Sequence, residues 1–309
     1  MKLRIGSRGS QLALWQANHI AGLLRSAGHS IEIEIIKTTG DRLQEVTFAQ
    51  VGSKGMFTKE IEEALADGRV DLAVHSLKDL PTELPDPFIL AATPPRADPR
   101  DVFVSVRYHS LSELPPAARV GTSSQRRRAQ LKAVRTDIEA VEFRGNVDTR
   151  LRKLAVGQVD AILLAAAGLD RLEKTEWVRE RLEPEDFCPA AGQGALGIEI
   201  RKGDASTKGA VGFLNDAATR FAVTVERAAL TALGGGCQVP IGIHCRPASA
   251  DSVEVFAVVA APETGAAVRI YVKERLDSVN PAELGRTVAQ RLIDAGAGPL
   301  LEAVSGVSQ

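Results

Sequence analysis

The feature that most constrains the fold of this 309-residue chain is a local pattern that occurs twice. Arg4-Ile5-Gly6-Ser7-Arg8-Gly9-Ser10-Gln11 reads as strand, glycine, hydroxyl-rich turn and helix start, and Arg119-Val120-Gly121-Thr122-Ser123-Ser124-Gln125 reads the same way. Around each copy, short apolar runs alternate with helical patterns, which is the pattern of βαβ units on a parallel sheet. In the first copy, strands are predicted at Leu3 to Gly6, Ile31 to Ile35, Asp71 to Ser76 and Ile89 to Thr93. A helix from Ser10 to Ala27 carries Leu12, Trp15, Ile20 and Leu23 near one face, and a second runs from Thr58 to Ala66. Pro94-Pro95 and Asp98-Pro99-Arg100-Asp101 form a crossover, after which the pattern restarts. Strands at Ile138 to Phe143 and Asp160 to Ala165 flank a helix from Val147 to Val156. Ala195 to Ile200 returns as a strand to the first domain, and a helix follows from about Asp216.

The tail, with strands at Val253 to Val259 and Ala267 to Val272 and a helix from Pro281 to Ala295, reads as a small α+β domain. The expected domains are therefore residues 1–95 with 196–215, residues 98–192, and residues 217–309. Two similar α/β units joined by two crossovers imply a cleft, with ligands beyond the carboxyl ends of the strands. A net charge of −1 argues against a protein that coats nucleic acid, and no apolar run is long enough to span a membrane. Cys188, Cys237 and Cys245 do not make a disulfide framework, and no signal peptide is read at Met1-Lys2-Leu3-Arg4-Ile5. Both readings point to the cytoplasm.

Three turns combine hydroxyls or backbone N–H groups with arginine at a helix start: Ser7 to Ser10, Thr122 to Arg128, and Arg144-Gly145-Asn146. Helix N-termini favour anions, and arginine adds bidentate recognition of carboxylate or phosphate. With Lys54 and Lys78 on loops, the set predicts a discrete polyanionic ligand. Asp79, next to Lys78 past a strand end, is a carboxylate in basic surroundings, suited to hydrogen-bonding ligand N–H groups, stabilising a cation and moving protons. A local Lys78–Asp79 pair or a turn cap is the competing reading. Gly192-Gln193-Gly194-Ala195-Leu196-Gly197 matches a dinucleotide fingerprint as a string but precedes a strand instead of opening a helix. Cys237, His244 and Cys245 match no zinc spacing, so no metal is expected, and Arg126 to Arg128 lack aromatics for base stacking. Cys237 itself lies in Gly234-Gly235-Gly236-Cys237, a bare loop where a thiol can meet something bulky; metal ligand, nucleophile and redox site all remain open to it.

In order along the chain, Gly6 to Gln16, Gly52 to Glu60, His75 to Pro81, Gly121 to Arg127, Arg144 to Val147, Pro189 to Gly194 and the glycine–cysteine loop resemble the porphobilinogen deaminase (hydroxymethylbilane synthase) family. The resemblance implies two domains like a type II periplasmic binding protein plus a third, and a monomer. It implies a dipyrromethane cofactor joined by a thioether to Cys237. The family's activity adds four porphobilinogen units head to tail onto this primer, loses ammonia at each addition, and releases hydroxymethylbilane by hydrolysis.

By the same resemblance Asp79 is the catalytic acid. Lys78, Asp79, Thr122, Ser123, Ser124, Arg126, Arg127, Arg144 and Gly145 contact the cofactor. Arg8, Ser10, Lys54, Phe57, Arg144, Arg150, Arg171 and Gln193 contact the substrate. The chain departs from the family pattern at Gln50 and Gly234, where relatives carry lysine and glutamate, and Arg128 is an additional charge. A binding module of the same two-lobed fold is the alternative, but it has no use for a thiol on a glycine loop.

Overall fold

In a computed structural model, residues 1–39, 58–235 and 239–306 are described. The chain runs β1 (Lys2–Ser7), α1 (Gln11–Ser26), β2 (Ser30–Ile35), α2 (Lys59–Ala66), β3 (Leu72–Ser76) and β4 (Phe88–Ala92). It continues through β5 (Asp101–Val104), β6 (Arg119–Gly121), α3 (Gln125–Val134), β7 (Glu139–Val141), α4 (Val147–Ala155), β8 (Ala161–Ala165), α5 (Ala166–Arg171) and β9 (Val178–Leu182). Then come β10 (Leu196–Arg201), α6 (Ala205–Val211), α7 (Ala217–Ala232), β11 (Ile241–Pro247), β12 (Ser252–Ala260), β13 (Ala267–Arg275), α8 (Pro281–Leu292) and α9 (Gly298–Gly306).

The chain divides into two compact units, Met1–Ala97 with Gly194–Arg220, and Asp98–Gln193 with Phe221–Gln309. The first holds a five-stranded sheet in the order β2-β1-β3-β10-β4. The second holds a sheet in the order β7-β6-β8-β5-β9 and a three-stranded meander, β11-β12-β13. The two five-stranded sheets are built alike, as the repeated motif predicts, and the meander with α8 forms a small C-terminal domain with its own core around Val225, Ile243, Val255 and Val288.

Two expectations need correction. The sheets are mixed, not parallel: β10 runs antiparallel to β3 and β4, and β5 runs antiparallel to β8 and β9. In each sheet the reversed strand is the one the chain enters through a crossover segment, so its direction is set by topology rather than by local sequence. On α1, Leu23 is among the exposed large apolar residues, and the buried stripe is Ala17, Ile20, Ala21 and Leu24. Their i, i+3, i+4, i+7 spacing is helical, but two members are alanines, whose small side chains let the helix sit close to the sheet. Among the described residues no helix is long and apolar enough to cross a membrane.

Candidate functional site

In the first unit, β3 ends in a 3-10 turn, Leu77–Asp79, that is clamped from below. Leu77 and Leu80 are buried, the Leu77 N–H donates to the Ala195 carbonyl at 3.0 Å, and the Gln16 amide donates to the Ser76 hydroxyl at 2.8 Å. Leu77 also packs over Gly197, where an added Cβ would lie 3.0 Å from it. The clamp leaves Lys78 half-buried and Asp79 exposed. Among the described residues the Asp79 carboxylate makes no ion pair and no hydrogen bond; it neither pairs with Lys78 nor caps the turn. Its charge is held outward, available to a ligand. Nearby in sequence, His75 donates or accepts across 2.9 Å to the fully buried Glu199, a pair that sequence inspection missed because the partners are 124 residues apart. Arg8 sits half-buried past β1, and the Ser10 hydroxyl caps α1 by accepting from the Ala13 N–H.

The second unit gathers the other cations. Gly121 ends β6 where an added Cβ would lie 2.6 Å from Phe143 Cγ, so the chain turns close against that ring. The Ser123 hydroxyl donates to the Phe143 carbonyl at 2.7 Å, Thr122 Oγ1 accepts from the Ser124 N–H, and Ser124 caps α3. This fixes the first turn of α3, which carries Arg126 and Arg127. Both are buried, at 4% and 6% exposure, and both bind the carboxylate of Asp101, which is fully buried. Burial alone would raise the Asp101 pKa; the two guanidinium groups overcome it and hold the carboxyl below the usual carboxylate range. Gln193 is also fully buried, its amide donating to the Pro99 carbonyl at 2.7 Å and to Asp101 at 2.9 Å.

Arg144 bonds Glu142 through Nε at 2.7 Å, and Gly145, with φ of +124°, turns the chain into α4 beneath it. On α4, Arg150 has a buried Nε with no hydrogen-bond partner among the described residues. Burial, then the positive charges of Arg127 and Arg144, push Arg150 down to about 10, with Glu142 only partly offsetting them. Arg171, on α5, is likewise buried and pushed down to about 10 by desolvation. In both, desolvation outweighs the nearby carboxylate, Glu142 for Arg150 and Asp170 for Arg171. Structure thus brings Arg126, Arg127, Arg144 and Arg150 into one electrostatic neighbourhood. Cys237, Lys54 and Phe57, together with Gln50, lie outside the described residues. The other two cysteines, Cys188 and Cys245, are buried, and burial pushes the Cys188 thiol up, out of reactive range. Gly234 has φ of +67° and its N–H closes α7 onto the Thr231 carbonyl, a left-handed helix end that glycine adopts without strain and glutamate would not.

Residues 3–209 match the family model described as "Porphobilinogen deaminase, dipyromethane cofactor binding domain", and residues 220–294 match its C-terminal domain. The porphobilinogen deaminase of Chromobacterium violaceum is 48% identical over 98% of this chain and 98% of its own. The chain belongs to the porphobilinogen deaminase family. That of Nitratidesulfovibrio vulgaris (strain DSM 19637 / Miyazaki F) is 46% identical over 99% of this chain and 98% of its own. Among solved structures, a nutrient-binding protein from Burkholderia cenocepacia bound to methionine matches 68% of this chain and 90% of its own at 12% identity, with a TM-score of 0.43. The cofactor of a porphobilinogen deaminase is a dipyrromethane, which carries an acetate and a propionate on each ring. Arg127, Arg144 and Arg150, the last with a buried Nε that has no hydrogen-bond partner among the described residues, form a cationic donor set of the kind that suits carboxylates.

Proposed function

We propose that the chain carries out the porphobilinogen deaminase reaction through Asp79, the arginines of α3 and α4, and Cys237. It condenses four porphobilinogen molecules head to tail, releases ammonia at each step, and frees hydroxymethylbilane by hydrolysis. Cys237 anchors the dipyrromethane, which supplies, when bound, the primer and the nucleophilic pyrrole carbon for the first addition.

The observation that carries the assignment of Asp79 is its exposed carboxylate, which has no partner among the described residues, on a turn whose backbone is clamped by Leu77 and Leu80. There it accepts hydrogen bonds from the pyrrole N–H of the incoming porphobilinogen and stabilises the positive charge that develops as ammonia leaves. A pyrrole that loses its aminomethyl nitrogen becomes a cation delocalised over the ring, and a fixed carboxylate at the ring N–H lowers its energy. Lys78, Arg126, Arg127 and Arg144, with the backbone and hydroxyls of Thr122, Ser123, Ser124 and Gly145, hold cofactor carboxylates. Arg8, Ser10, Lys54, Phe57, Arg144, Arg150, Arg171 and Gln193 hold the substrate. The three-domain division at 1–95 with 196–215, 98–192 and 217–309 belongs to this reading, as do a monomeric state, a cytoplasmic setting and no role for nucleic acid.

Asp79→Asn tests the central assignment. The variant is expected to melt like wild type and to carry the covalent cofactor at some level, but to lose most porphobilinogen consumption, by about 10²-fold or more. Near-wild-type turnover contradicts the role given to Asp79.

A further inference from the structure

We propose that Asp101 is a positioning residue for cofactor capture: one buried carboxylate, itself steadied by Gln193, fixes Arg126 and Arg127 in the orientation that receives the cofactor's acid groups. Asp101 opens β5 and is paired on both sides, opposite Ala165 on β8 and Leu182 on β9, so its backbone is anchored in the middle of a sheet. Its carboxylate accepts four hydrogen bonds: from Arg126 Nη1 at 2.7 Å, from Arg127 Nε at 3.0 Å and Nη2 at 2.7 Å, and from Gln193 Nε2 at 2.9 Å. Arg126 also donates to the Cys188 carbonyl and Arg127 to the Leu163 carbonyl, so both guanidinium planes are set by fixed acceptors.

One carboxylate binds two buried guanidinium groups, and the cation of Arg150, whose Nε has no hydrogen-bond partner among the described residues, lies near Arg127. A buried ion pair is a weak stability device even when balanced. The inference rests on the reading that Arg126 and Arg127 hold cofactor carboxylates, and it adds why they are ready to do so. Arginine side chains lose much rotamer freedom when they bind. Asp101 holds them ordered beforehand, so capture is faster and tighter. Gln193, besides the substrate contact proposed for it, supports Asp101 through its Nε2, and the Gly192-Gln193-Gly194 turn, with φ of +74° and +85° at its glycines, places that amide.

The test measures cofactor capture rather than turnover. Apo-proteins are incubated with porphobilinogen, and the rate at which the covalent dipyrromethane mass appears is followed by intact-mass spectrometry, with a thermal melt on each protein. Four variants are compared: Asp101→Asn, Gln193→Leu, Arg127→Gln, and Val288→Ala in the buried core of the C-terminal domain as a control for lost stability. Val288→Ala is expected to melt lower yet load at the wild-type rate. Asp101→Asn and Arg127→Gln are expected to load at least about tenfold more slowly, with Gln193→Leu between them and wild type. Wild-type loading by Asp101→Asn, with Arg127→Gln slow, overturns the positioning role and leaves the arginine reading standing. Wild-type loading by both overturns the arginine reading as well. If Asp101→Asn does not fold, Gln193→Leu decides: loading at the wild-type rate contradicts the proposal, and slower loading at an unchanged melting temperature supports it.

Discussion

Among single residues, Arg150 bears most directly on the proposed role of the cations in holding a ligand. Its Nε is buried without a partner among the described residues, and burial and like charges both disfavour its cation. Replacing it by Met is therefore expected to leave the unfolding temperature of the apo-protein unchanged or slightly raised. The same change raises KM for porphobilinogen by about tenfold or more. A clear fall in melting temperature with an unchanged KM would mean that Arg150 is structural. At this scale the sequence names residue types that suit a polyanion but does not show what they touch in the fold. The basic run at Arg126 and Arg127 reads in the sequence as a site for an external anion, but the carboxylate both bind in the structure, Asp101, lies 25 and 26 positions away and looks like crossover punctuation after Pro99-Arg100. Gln193 was legible as a motif member, yet its full burial and its bond to Asp101 are tertiary facts. Asp79 was the reverse case: a local pair with Lys78 was the plainer reading, and the folded chain gives the carboxylate no partner among the described residues.

Among secondary elements, strands and helices with strong periodicity were legible, with β1, α1, α4, β8 and α8 falling within a few residues of expectation. The elements that were not are short or polar. β5 is only Asp-Val-Phe-Val beside a proline-rich crossover, and β9 is Val-Arg-Glu-Arg-Leu, a partly exposed strand whose charges hide its pairing with β5. Strand direction could not be read at all, because it depends on how the chain returns across the sheet. Helix chemistry supplies a paired prediction. In α1, Gly22 has nothing within 4 Å of an added Cβ, so Gly22→Ala is expected to stabilise by about 0.5–1 kcal/mol through helix propensity. Gly145, at φ of +124° with Thr149 Cγ2 2.7 Å from an added Cβ, leads into α4 and its Arg150. Gly145→Ala is expected to cost about 1–3 kcal/mol and to slow cofactor loading. Urea unfolding of the two variants checks both signs; equal shifts would contradict the local geometry.

For the molecule as a whole, buried charge makes stability depend on pH in a stated direction. Asp101 has a folded-state pKa below its unfolded value. Its contribution to stability is thus fully present above the ordinary carboxylate value of about 4 and is lost as pH falls through that value toward the lower folded one. The wild-type protein is expected to lose unfolding free energy between about pH 5 and pH 3, and Asp101→Asn to show a shallower slope over that interval. Parallel slopes would show that other carboxylates dominate acid unfolding. The central claim also belongs to this scale, since it joins the family's chemistry to one residue of this chain. After incubation with porphobilinogen, the intact mass should exceed that of the bare chain by one covalent dipyrromethane, and Cys237→Ser should remain at the bare mass. A bare mass for the wild-type protein, or an unchanged addition in Cys237→Ser, would contradict the account.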